Sequence, residues 1–173
     1  MSFIAPTGSP SVTEETMKWA KDTSNLWVIE ELKANKMVEI DRANEESNCF
    51  GFAATGLNTG HLLPSGGASA NEDAFDAMFA DHGWLPVLLP PEGPQLVLYK
   101  ALSDIGFAGH AAMWMVYAPH DTTQQYAWYS KLGTGPLVKL TLGAVQLETE
   151  YGLIVRRYKK FSHTPLIESS DRY

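Results

Sequence analysis

Between Thr13 and Asn35 the apolar residues Met17, Ala20, Leu26, Trp27, Ile29 and Leu32 recur at roughly helical spacing. A chain patterned in this way can bury one helical face. Ser11 or Thr13 can cap the start, and Glu14 and Glu15 fall in the first turn, where the macrodipole favours acids. This predicts a helix ending before Asn35, broken near Ser24. Residues 38–48 are polar after a short apolar start and read as a connection. Cys49-Phe50-Gly51-Phe52-Ala53-Ala54 then opens a short apolar helix, with Ser47 or Asn48 as its N-cap. Residues 58–69 are rich in Gly, Ser and Pro and read as a loop. Asn71 stands where it can cap a further short helix, with Phe75, Met78 and Phe79 on one face and Gly83 ending it.

The pattern changes in the second half. Residues 95–99 (Gln-Leu-Val-Leu-Tyr) read as a strand, and residues 110–117 as a nearly all-apolar strand, buried on both faces or central. Residues 125–130 form a third, with Tyr126, Trp128 and Ser130 on one side, followed by a turn at 133–136. Residues 137–150 fit a strand or a short helix, and 151–158 the last strand. Helices followed by strands favour an α+β fold, with N-terminal helices packed on an antiparallel sheet. No repeat or linker divides the chain, so residues 1–173 are expected to form a single domain, with 1–10 and 162–173 flexible.

Composition narrows the function classes. The 173 residues are 45% hydrophobic and 19% charged, the balance of a chain that folds around a core. Thirteen Lys and Arg stand against twenty Asp and Glu, for a formal charge of −7. No basic face or block is available for nucleic acid or for an anionic membrane. No signal peptide is read at the start, so a cytoplasmic location is expected. The histidines at 61, 82, 110, 120 and 163 lack zinc-motif spacing, and no nucleotide-binding glycine motif is present, so neither metal nor cofactor is expected.

One pair of residues stands where chemistry is possible. Cys49, the only cysteine, lies at a predicted helix start, where backbone N–H groups and the macrodipole favour a thiolate and lower its pKa. His110 opens the apolar strand directly after Gly109. A thiol at a helix start facing an imidazole on a sheet is the arrangement of nucleophilic cysteine chemistry. The imidazole takes the thiol proton, and the thiolate attacks an acyl carbon. The Cys49 N–H and Asn48 are candidate oxyanion donors. His61 stands in the loop after the cysteine helix, where it can line a cleft, and Trp128 supplies aromatic mass for a core or a cleft wall. Taken singly, a lone cysteine on an apolar helix is more often a small buried hydrophobe.

Asn48-Cys49-Phe50-Gly51-Phe52-Ala53 resembles the cysteine helix start of the NlpC-type branch of papain-like cysteine hydrolases. Gly109-His110-Ala111-Ala112 resembles the Gly-His strand of that branch. The chain also resembles a family of small microbial and fungal proteins. The shared features are residues 79–84, Val97-Leu98-Tyr99, His110-Ala111-Ala112, Trp128-Tyr129-Ser130-Lys131-Leu132-Gly133 and Tyr151-Gly152, in that order. The resemblance covers about residues 47–160 and implies a papain-like, NlpC-like core. It implies Cys49 as nucleophile and His110 as base, with a polar residue on the following strand to orient the imidazole. Ser130 and Gln125 are equal candidates for that third position.

The expected activity is therefore a thiol-dependent reaction at an amide or ester bond of a small molecule or peptide, by hydrolysis or by transfer. The alternative is a non-catalytic binding or interaction module on the same fold. A toxin or effector needing a host factor is a third reading.

Overall fold

The computed structural model describes residues 12–58, 60, 62–63, 72–101, 109–115 and 125–161. Among the described residues the sequence order of helices and strands resolves into five α-helices and a seven-stranded sheet. The first two helices are α1 (Glu14–Asp22) and α2 (Leu26–Lys33). The expected break between them is real, and Ser24 takes a left-handed φ of 61° there. Thr13 caps α1 by accepting from the Thr16 N–H.

Strands β1 (Met37–Asp41), β2 (Trp84–Val87), β3 (Gln95–Lys100), β4 (His110–Met115), β5 (Ala127–Lys131), β6 (Leu137–Leu140) and β7 (Leu153–Lys160) pair in the order β1-β6-β5-β4-β3-β7-β2. Every pairing is antiparallel. The fold is α+β, and the apolar strand β4 sits at the sheet centre, as its pattern requires.

Four expectations change. The start of the 38–48 connection is a strand, because Met37–Asp41 pairs with β6. A strand at 84–87, absent from the sequence reading, pairs with β7. Residues 137–150 are not one element: β6 gives way to a 3-10 turn (Ala144–Leu147) and then to α5 (Glu148–Tyr151). The last strand begins at Leu153 and runs to Lys160. The expected cap at Asn71, most of the 58–69 loop and the end of the 110–117 strand lie outside the described residues.

Each sheet face is covered. On one, α3 (Cys49–Thr55) and α4 (Glu72–Ala80) bury Phe50, Phe52, Phe75 and Phe79 against Leu96, Leu98, Ala111, Met113 and Tyr129. On the other, Val28 and Leu32 of α2, with Ala144 and Leu147 of the 3-10 turn, pack on Val97, Tyr99, Ala112 and Val138. The alternation along β3 and β4 assigns each residue to its layer. Asp76 ties α4 to β7 by accepting from Arg156 Nη2 (2.8 Å) and from the Tyr158 hydroxyl (2.6 Å). Among the described residues no helix is long and apolar enough to cross a membrane.

Candidate active site

Cys49 is the first residue of α3, as the sequence predicts. Its N-cap is Asn48, whose Oδ1 accepts from the Gly51 N–H (2.8 Å). Asn48 also holds the chain after the helix: Nδ2 donates to the Leu63 carbonyl (2.6 Å), and Oδ1 accepts from the Leu63 N–H (3.3 Å). The side-chain carbonyl and one Nδ2 hydrogen are thus committed to shaping the helix start and the following loop. His61 lies outside the described residues.

The thiol is buried, with 5% of its residue surface exposed. Burial pushes its pKa up from its ordinary 9.0 to about 12. The backbone N–H groups of Ala111, Phe50, Cys49 and Gly133 bear on the sulfur and pull the other way. The helix start does favour the thiolate, as expected, but desolvation outweighs it. The direction of the shift is thus opposite to the one expected from the helix start alone.

His110 opens β4 and is buried, with 1% exposed. Its Nε2 lies 2.5 Å from Ser130 Oγ, and Ser130 in turn donates to the Ala111 carbonyl (3.1 Å). The carbonyl only accepts, so a serine proton directed there leaves Ser130 to receive an imidazole N–H, whereas a serine proton directed at Nε2 makes the imidazole the acceptor. In the first arrangement the neutral tautomer carries its hydrogen on Nε2, and the Nδ1 lone pair is the basic position. Burial holds the imidazole pKa down, from 6.5 to about 3. Burial thus disfavours the charged form of both the thiol and the imidazole.

Strand alternation places the two side chains in different layers. His110 shares its face with Ala112 and lies flat on Tyr151, with ring centroids 3.8 Å apart and planes at 8°. Cys49 packs in the α3 layer. Cys49 shares its layer with Ala111, the residue next to His110. No thiol–imidazole hydrogen bond forms among the described residues.

The two candidates for the third position separate on register. Tyr129 pairs with Met113, and Trp128 with Trp114, so Ser130 falls beside the His110 end of β4. Gln125 lies beyond Ala127, which pairs with Met115 at the opposite end of β4, and it is exposed. Gln125 is therefore corrected: antiparallel pairing carries it away from the imidazole. Trp128 shares a strand face with Ser130 but packs against Trp114, at 5.6 Å between centroids.

Two further residues went unassigned in the sequence. Tyr151 was legible only as part of a Tyr-Gly pair, yet its ring covers His110. Lys131 follows Ser130 and is fully buried, with Nζ donating to the carbonyls of Gly135 (2.5 Å) and Asn44 (3.2 Å). At the far end of α3 from Cys49 lies a concavity of about 280 Å³, lined by Thr55, Trp84, Met113, Met115, Tyr126 and Lys160 among others. Among the described residues no group of three His, Cys, Asp or Glu side chains is placed to hold a metal ion. Comparison with protein-family models, with curated proteins and with solved structures finds no match.

Proposed function

We propose that the chain is a thiol-dependent enzyme acting on an amide or ester bond, built on a papain-like, NlpC-like core. Cys49 is the nucleophile and His110 the base. The observation that carries this reading is the Ser130–His110 hydrogen bond, which engages Nε2 and leaves Nδ1 to act as the base. In the reaction the proton of Cys49 Sγ passes to His110 Nδ1, and the thiolate adds to the acyl carbon. The imidazolium then protonates the leaving amine or alcohol, giving a thioester that water or an amine resolves. The N–H groups of Ala111 and Gly133, which favour negative charge at the sulfur, are suited to the charge that develops beside it.

A second reading has its own support. A buried neutral thiol and a buried neutral imidazole entering from opposite layers are also what a binding module with a packed core would contain. In that case the concavity at the far end of α3 is the better place for a ligand.

The test is acylation of the native protein by activated esters and amides, read by intact-protein and peptide mass spectrometry at neutral pH. The enzyme reading expects an adduct on Cys49, absent in Cys49→Ala, with its formation slowed at least about a hundredfold in His110→Ala. An adduct that forms only after denaturation, or one indifferent to His110, supports the binding module instead.

A further inference from the structure

The residue lying on His110 comes from a part of the chain about forty positions away. Its placement follows from a backbone constraint. Gly152 takes a φ of +93°, and a Cβ built there would lie 2.3 Å from the Lys100 carbonyl oxygen and 2.4 Å from the backbone of Ala101. Only glycine lets the chain leaving α5 press so closely on the end of β3. The next residues then enter the sheet in register, Leu153 opposite Lys100 and Ile154 opposite Tyr99. Tyr99 itself pairs with His110. The Ile154 N–H donates to Glu148 Oε2 (3.1 Å), closing the turn. Tyr151 is thereby held at the level of the imidazole. Trp27 meets its ring edge-on, at 6.0 Å and 74°.

Ser130 fixes one nitrogen of His110, and the Tyr99 ring meets the imidazole obliquely, at 5.6 Å and 47°, so neither contact by itself sets the ring plane, and freedom to tilt about the Ser130 bond is left. The parallel stack removes this freedom, because tilting would lift one ring from the other. We propose that Tyr151 is a positioning residue for the Cys49–His110 pair: its ring fixes the imidazole plane and stabilises the imidazolium formed when the thiol proton moves to Nδ1. The inference rests on the reading of Cys49 and His110 as a nucleophile and base. An aromatic face attracts a cation more strongly than a neutral ring, so the stack favours the charged state that catalysis needs. The charge of a Cys49 thiolate also reaches the Tyr151 phenol: after burial, it is the next largest influence holding that phenol protonated. The phenol ring thus lies against the base and within the field of the nucleophile.

The experiment uses the full chain with Tyr151→Phe, Tyr151→Leu and Tyr151→Met, beside His110→Ala. Two quantities are read on proteins shown by thermal melts to be folded. One is the pair of His110 ring-nitrogen chemical shifts, which report the tautomer. The other is the rate of Cys49 alkylation by iodoacetamide against pH. Tyr151→Phe keeps the stack and is expected to match wild type in both. Tyr151→Leu and Tyr151→Met are expected to move the nitrogen shifts away from those of wild type, because an imidazole free to tilt no longer keeps its bond to Ser130. They should also slow alkylation near pH 7 by about tenfold, the size of effect a desolvated cation–π contact supports. Unchanged shifts and an unchanged profile in a folded Leu or Met variant would overturn the proposal. So would a Phe variant as impaired as the Leu variant, since the effect would then belong to the hydroxyl. If His110→Ala leaves alkylation unchanged, the nucleophile–base reading itself fails. If His110→Ala slows alkylation while the Tyr151 variants do not, only the role of Tyr151 fails.

Discussion

His110 is the residue at which burial has the plainest thermodynamic consequence. Its pKa is held down to about 3 in the fold, against 6.5 in its ordinary state. Above pH 6.5 neither the folded nor the unfolded chain carries this proton, so the group takes nothing from stability. As pH falls below 6.5 the unfolded chain binds the proton first, and stability is lost progressively until the folded pKa is reached. Wild type should therefore lose urea resistance between pH 6.5 and 5, a range above most carboxylate titration. His110→Gln should lose measurably less over that range, whatever its stability at pH 7. Equal losses in the two proteins would mean that the imidazole is not held neutral. The elements that carry the two residues were legible in sequence, the helix that Cys49 starts and the apolar strand that His110 opens. The ionisation of the two side chains was not legible. A helix start lowers a thiol pKa and burial raises it, and only the packing of Phe50, Phe52 and Ala111 around the site decides which wins.

At the level of single elements, the short helix α3 depends on its cap. Asn48→Ala removes the acceptor of the Gly51 N–H and both bonds to Leu63, and is expected to cost about 1–2 kcal/mol in urea unfolding. Asn48→Asp keeps the acceptor and loses the donor, so it should fall between wild type and Ala. A full recovery by Asp would show that the tie to the Leu63 carbonyl contributes nothing. Gly152→Ala should cost more, above about 2 kcal/mol, because the methyl group meets the Lys100 carbonyl in a left-handed backbone. The thermal midpoint would read it directly. The elements missed in the sequence share a physical cause. Strands β1 and β2 are the two edges of the sheet. An edge strand has one neighbour, is partly exposed and need not be apolar throughout. β1 carries Glu39, whose carboxylate accepts from the hydroxyls of Thr13 and Thr16, and β2 carries Pro86. Proline argues against a central strand but is tolerated at an edge. The central strands β3 and β4 were legible because they are buried nearly throughout.

For the whole molecule, helices before strands were enough to read α+β, but the strand order was not. β1 pairs with β6 about a hundred residues later, and β7 enters between β3 and β2. Such pairings are long-range and leave no local pattern. Lys131 joins parts of the chain that this topology brings together. From the end of β5 its ammonium donates to Asn44, on the segment leading to Cys49, and to Gly135, in the turn whose Gly133 N–H bears on the sulfur. Burial lowers its pKa from 10.5 to about 8, opposed by the charges of Asp41 and Glu46. Between those two values the unfolded chain holds the proton and the fold does not, so this lysine makes stability rise with pH. Cys49 acts in the opposite sense above pH 9, since its folded pKa is raised and the unfolded thiol ionises first. The comparison therefore belongs in a Cys49→Ala background, with Lys131 set against Lys131→Met at pH 7.5, 9 and 10. Methionine fills much of the space but donates to neither carbonyl, so the two proteins differ in the amine and its bonds alone. The stability gap in favour of lysine should widen steadily across that range, as the neutral amine keeps protons to donate and sheds its desolvation cost. A constant gap would mean that the ammonium is as well solvated by the two carbonyls and the nearby acids as it is by water, and that this buried cation stitches the two sides of the site together at no electrostatic cost.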